Sequence, residues 1–154
     1  VIRRAALSDK ERVIQLLRDS RVGAGFDRAD GISGFVFPFD AAHAERLFMM
    51  HFTAPAGLCL VLDVDGVAQG VLLAHAFDHP YGPVRVAKEN MWWIDPAHRG
   101  GSAAIRMLDG LEAWARDQGC AFAGVAGMGS APDVGVLYQR RGYKPAELHY
   151  LKAL

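Results

Sequence analysis

The sequence is poor in the features that usually announce a protein's class. It holds only two cysteines in 154 residues. Cys59 and Cys120 lie far apart inside apolar, strand-like segments, which favours buried thiols in a reducing compartment over a disulfide, with a single bridge left open. No apolar run approaches the length of a membrane-spanning helix. The opening Arg3-Arg4 and the helical pattern after it do not match a signal peptide, so the expected setting is the cytoplasm, with no membrane as partner. Charge of one sign is also missing: 17 basic residues balance 17 acidic ones, so no global field recruits nucleic acid, and none is expected as a partner. Low-complexity tracts are absent. So is Gly-Lys-Ser/Thr, which excludes a Walker loop, while the one glycine pair that opens a helix comes too late for a dinucleotide fingerprint.

What remains is an ordinary globular composition, half apolar and 22% charged, over a length that suits one domain spanning 1–154. Val1 to Ala6 can form a strand, and Ser8-Asp9-Lys10-Glu11 has the form of a capping box opening a helix to about Asp19. Ser20 to Pro38, rich in glycine and aromatics, is long for a connection. Asp40 caps a second helix through about Phe52, with Ala44, Leu47, Phe48 and His51 on one side. Asp65-Gly66 joins Leu58–Val64 to Val67–His75 as a hairpin. A fourth strand ends at Ile94, a fifth runs from Ala121 to Met128, Ser130 with Pro132 and Asp133 restarts a helix, and Glu147 to Leu154 is a last strand. This order predicts an α/β (α+β) sheet with helices on both faces.

The stretch from Asn90 to Gln118 carries the most chemistry. Met91 to Ile94 is a short strand ended by Asp95-Pro96. After Gly100-Gly101 the apolar residues Ala104, Met107, Leu108, Leu111, Trp114 and Ala115 recur at helical spacing, and Gly119 closes the segment. A helix that starts on small residues exposes unpaired N–H groups and the positive end of its dipole to an anion. Gly100, Gly101, Ser102, Ala103 and Ala104 permit close approach of a phosphate, and Arg99 offers a charged fork. The plain alternative is a tight turn with no ligand.

Ile94-Asp95-Pro96-Ala97-His98-Arg99-Gly100-Gly101-Ser102-Ala103-Ala104 resembles the R-x-x-G-x-G/A signature of the GNAT superfamily of acetyl-coenzyme A (acetyl-CoA) dependent N-acetyltransferases, with Ser102 standing where that family usually has glycine. Val136 to Tyr143 is similar to its late LYxxxGF segment. The resemblance covers nearly the whole chain. It implies a mixed, mostly antiparallel sheet of six to seven strands, with acetyl-CoA as acyl donor. Its pyrophosphate would lie on Arg99 to Ala104 and its pantetheine arm along the main chain of Trp93 and Ile94. By the same resemblance Tyr138 is the acid that protonates the departing thiolate, and Glu89 is the base that takes the amine proton through water. Strand alternation would put Glu89 on the face of Met91 and Trp93.

Each assignment has a plain alternative: Tyr138 as a core tyrosine, Glu89 as a solvated strand residue, Trp92, Trp93 and Trp114 as core. His75, Asp78 and His79 gather near the end of the third strand but lack a fourth ligand at recognisable spacing, so no metal is expected. The reading that results is transfer of an acetyl group to a primary amine of a small molecule or peptide by direct attack. A homodimer is left open. The rivals are a non-catalytic acyl-CoA-binding module and a nucleotide-binding α/β domain.

Overall fold

In the computed structural model, which describes residues 1–31, 33–127 and 132–154, the hairpin forms where local chemistry requires it. Asp65 and Gly66 both take positive φ (52° and 83°), and the Gly66 N–H donates to the Asp63 carboxylate at 2.8 Å. They join β2 (Gly57–Val64) to β3 (Val67–Asp78). With β1 (Ile2–Arg4), β4 (Arg85–Ile94) and β5 (Phe122–Gly124) these make one sheet in the order β1-β2-β3-β4-β5. Every pairing is antiparallel except the last, β4 with β5, which is parallel.

Alternation along the strands sorts their side chains to two cores. Leu58, Leu60, Leu62, Leu72, Ala74 and Ala87 pack against Met107, Leu111 and Trp114 of α3 (Ala103–Asp117). Cys59, Val61, Val71 and Leu73 pack on the other face against Val13 and Leu16 of α1 (Lys10–Gly23) and Ala44 and Phe48 of α2 (Ala41–Thr53). Helices cover both faces, as the element order predicts. Asp40 caps α2 by accepting the His43 N–H at 2.7 Å.

The chain divides into two compact units, one of Val1–Ser20 with Phe39–Val125, the other of Arg21–Pro38 with Ala126–Leu154. In the second, Phe26 and Phe37 meet edge to face at 5.1 Å, and Ser33 Oγ donates to the Gly25 carbonyl at 2.7 Å, so the long connection packs on itself. The second unit also contains α4 (Pro132–Arg140), which ends at Gly142 with φ 87°.

Three expectations need correction. The sheet of the described residues has five strands, not six to seven. Residues 147–154 join no ladder, and Leu148, Tyr150 and Leu151 stand exposed; β-propensity makes a strand only where an unpaired edge accepts it. The capping box is built on Asp9 instead of Ser8 and Glu11: a 3-10 turn, Leu7–Asp9, precedes α1, and the Ala6 N–H donates to the Asp9 carboxylate at 2.7 Å. Asp9 is held for that task by a bidentate Arg3. The predicted end of the fifth strand at Met128 and the cap at Ser130 lie outside the described residues.

Candidate active site

The two sides of β4 are paired to different extents. β3 pairs with it throughout, but β5 follows it only from Val86↔Phe122 to Lys88↔Gly124. The described β4–β5 ladder stops at Lys88↔Gly124, and the backbone of Trp93 and Ile94 lies further along that side of β4, the side on which an extended ligand can add to a sheet.

Beyond Ile94 a polar network sets the exit of the chain. Asp95 accepts the Ala97 N–H at 3.0 Å, capping a 3-10 turn, Pro96–His98. It also accepts from Arg12 at 3.1 Å. The Ala97 amide, helped by the Arg12 guanidinium, holds the carboxyl below the usual carboxylate range. Arg12 binds Ala68 O and Gln69 Oε1 as well (3.0 and 2.8 Å), tying α1 to β3 and to this turn.

Gly100 and Gly101 follow with φ of 94° and 54°, and a Cβ at either would meet nothing within 4 Å. Backbone conformation, not crowding, requires glycine there, and the space over the loop is open to a ligand. Ser102 is the N-cap of α3 but makes no side-chain capping bond. The leading amides of Ala103 and Ala104 therefore lack that usual partner and face the anion-favouring end of the dipole. The donor set fits a pyrophosphate.

Arg99 is engaged locally. Its Nε donates to the Ile94 carbonyl at 2.8 Å, and its guanidinium lies 4.3 Å from the centroid of the Trp93 ring. Trp93, Ile94 and Arg99 are thus brought together. The Trp93 Nε1, buried, finds no hydrogen-bond partner among the described residues.

Glu89 lies on the opposite face from the one alternation predicts. The β3–β4 register shifts so that Leu73 opposes Met91 while Ala74 opposes Glu89, leaving Asn90 as the extra residue of a bulge. Register partners share a face, and Ala74 belongs to the core beneath α3, whereas Met91 and Trp93 pack against the α1–α2 core. Glu89 is 8% exposed.

Tyr138 sits in the second compact unit, on α4. Its hydroxyl donates to the Ala126 carbonyl at 2.8 Å and its ring lies 5.9 Å from that of Tyr143. It is buried, so the phenol already has an acceptor in this state.

Asn90 and His51 carry a contact that sequence reasoning missed. The Asn90 amide meets His51 Nε2 at 2.7 Å, while His51 Nδ1 meets the Leu47 carbonyl at 2.8 Å. Only the lone His51 on the apolar side of α2 signals it in the sequence. The two thiols are free, and burial pushes Cys59 up to about 12, an inert thiol. Among the described residues no group of three His, Cys, Asp or Glu is placed to hold a metal, and no helix is long and apolar enough to cross a membrane.

The middle of the chain is thus a strand that leads through a glycine turn into a helix N-terminus without a side-chain cap. A profile of the acetyltransferase (GNAT) family matches residues 26–143, and the chain belongs to that family. It is an acyltransferase, and acetyl-CoA is the family's acyl donor.

Similar solved structures include a transcriptional regulator from Bacillus halodurans C-125 (18% identity, TM-score 0.77, covering 100% of this chain and 99% of that one). A ribosomal-protein-alanine N-acetyltransferase from Brucella melitensis biovar Abortus 2308 is 19% identical, with TM-score 0.73 and coverage of 100% and 99%. A predicted acetyltransferase from Clostridium acetobutylicum, solved with acetyl-CoA, is 14% identical, with TM-score 0.76 and coverage of 100% and 95%. At these identities the likeness is one of fold. No curated protein matches the chain.

Proposed function

We propose that the protein transfers an acetyl group from acetyl-CoA to a primary amine of a small molecule or peptide by direct attack. The observation that carries this is the glycine turn at Gly100 and Gly101, which leads from the end of β4 at Ile94 into the amides of α3, where Ser102 makes no side-chain cap. Acetyl-CoA supplies the activated acetyl thioester.

The chain's own residues divide the remaining work. Amides of Gly101 to Ala104, with the Ser102 hydroxyl, hold the pyrophosphate, and the backbone of Trp93 and Ile94 pairs with the arm. Arg99 turns its terminal amines to the phosphates while its inner nitrogen stays on Ile94. Glu89 accepts, through water, the proton that the amine loses as its nitrogen bonds to the acetyl carbon. Tyr138 leaves the Ala126 carbonyl and gives its proton to the sulfur as the carbon–sulfur bond breaks. Protons and electron pairs balance: one proton passes from the amine to the base, and one from the phenol to the thiolate.

The test is release of free CoA thiol from acetyl-CoA in the presence of a panel of primary amines. Amine-dependent release with a mass-verified acetylamide supports the reading. Acetyl-CoA binding without product from any acceptor favours an acyl-CoA-binding module instead.

A further inference from the structure

A recess opens on the α2 side of the sheet, lined by Met50, His51, Ala54, Gly57, His75 and Asn90 among others. Its volume is about 310 Å³, roughly twice the 150 Å³ cavity that accommodates a benzene ring and at the small end of ligand sites. Asn90, the extra residue of the β4 bulge, lines the recess. Next in chain to Glu89, it stands just past the described pairing of β4 with β5.

The described lining is apolar apart from the Asn90 amide and the imidazoles of His51 and His75. Among the described residues it includes no aspartate or glutamate. Lys88 is the register partner of His75 and so shares its face. His51 is 4% exposed, and burial holds its pKa below the ordinary 6.5, so the ring is neutral at pH 7. With Nδ1 donating to Leu47 O, His51 Nε2 is the acceptor, so the Asn90 NH₂ must point at it. The Asn90 carbonyl oxygen is thereby turned away from His51. His75, stacked on Phe77 at 5.0 Å, has a buried Nδ1 with no hydrogen-bond partner among the described residues.

We propose that this recess seats the acceptor, and that it selects a monoamine with an apolar body over a polycationic amine. The inference rests on the acetyltransferase reading above and adds the substrate class to it. An apolar body fills the space among Met50, Ala54 and Gly57 and gains by leaving water. The Asn90 carbonyl accepts an N–H of the amine. No described residue lining the recess is a carboxylate, and Glu89, on the other face of β4, reaches the amine only through water, so nothing within the recess holds the ammonium form against the neutral nitrogen that attack requires. A polyamine or aminocyclitol would have to bring further charges into a recess where no described lining residue is a carboxylate to pair them.

The experiment compares 2-phenylethylamine with spermidine as acceptors for the wild-type chain and for Met50→Glu. Met50 is 57% exposed, so the variant keeps the fold, with the acetyl-CoA thermal shift as control. Wild type should favour phenylethylamine in kcat/KM by at least about tenfold, and one added carboxylate should move the ratio toward spermidine by about tenfold, the scale of a single exposed-to-buried charge contact. Phenylethylamine should also shift the ring signals of His51 and His75 in the acetyl-CoA-free protein.

Preference for spermidine by wild type, or an unmoved ratio in a folded Met50→Glu, would overturn the proposal. So would turnover of neither amine by a protein that acetyl-CoA still stabilises, which would leave the donor site standing. A protein that acetyl-CoA fails to stabilise removes both readings together.

Discussion

At the scale of single residues, Tyr138 decides between an acid and a core phenol. Its hydroxyl is spent on Ala126 in this state, so a proton donor's role requires that bond to be exchanged for the sulfur. A phenol with a reference pKa of about 10 keeps its proton at neutral pH. Tyr138→Phe should cut turnover by about a hundredfold to ten-thousandfold, with acetyl-CoA affinity within a few fold and stability lower by about 1 kcal/mol from the orphaned carbonyl. Steady-state rates against pH for both proteins check this; an unchanged rate with the stability loss alone would make Tyr138 structural.

Arg3 is the other residue with a sharp consequence. It donates to both oxygens of Asp9 (2.7 and 3.0 Å) and to Asp63 (2.7 Å). Arg3, then burial opposing it and the Ala6 amide, set the Asp9 carboxyl below its ordinary 3.8. A lowered folded pKa means stability that is complete above 3.8 and lost as pH falls through the folded value. Arg3→Met, which strands a buried carboxylate, should cost about 2 kcal/mol at neutral pH and flatten that acid loss. Urea midpoints between about pH 3 and 7 measure both. His51, neutral by burial, has the same sign higher up: its contribution is complete above 6.5 and declines as pH falls below it.

At the scale of elements, the parts legible in the sequence are those fixed by neighbours along the chain. Asp65-Gly66 and the Asp40 cap depend on a few adjacent residues, and both stand as expected. The α3 helix follows its apolar spacing, Met107, Leu108, Leu111 and Trp114 being buried. What the sequence hid is non-local. Asp9 caps α1's leading turn because Arg3 holds it, and the face of Glu89 depends on a bulge set by the β3–β4 register. The contact of Asn90 with His51 joins residues 39 positions apart. The apolar pattern of 147–154 has strand character, but without a ladder partner it forms no strand and stays exposed.

The glycine turn gives the element-scale prediction. Gly101 has φ 54° with open space around the missing Cβ. Gly101→Val should therefore strain the loop by about 1–2 kcal/mol and put a branched side chain over the amides, weakening acetyl-CoA by at least about tenfold. Ser102 makes no side-chain cap, so Ser102→Gly should leave the affinity within a few fold, losing at most a hydroxyl bond worth about 1 kcal/mol. Calorimetric titration of acetyl-CoA into each variant reads the difference, and equal affinities for Gly101→Val and wild type would place the phosphates elsewhere.

At the scale of the whole molecule, the charge balance leaves no long-range field to gather a ligand, so the proposed reading assigns recognition to the backbone of Trp93 and Ile94, the glycine turn and the α3 amides acting together. That combination suits a carrier with a pantetheine-length arm and does not suit ATP or a dinucleotide, which lack one. The direct measurement is the unfolding temperature of wild type and Gly101→Val with acetyl-CoA, ATP and NAD side by side. Acetyl-CoA at a hundredfold excess over its dissociation constant should stabilise wild type by about 2.7 kcal/mol, with no gain from ATP or NAD and a much smaller one in Gly101→Val. An equal gain from ATP, or none from millimolar acetyl-CoA, would contradict the account.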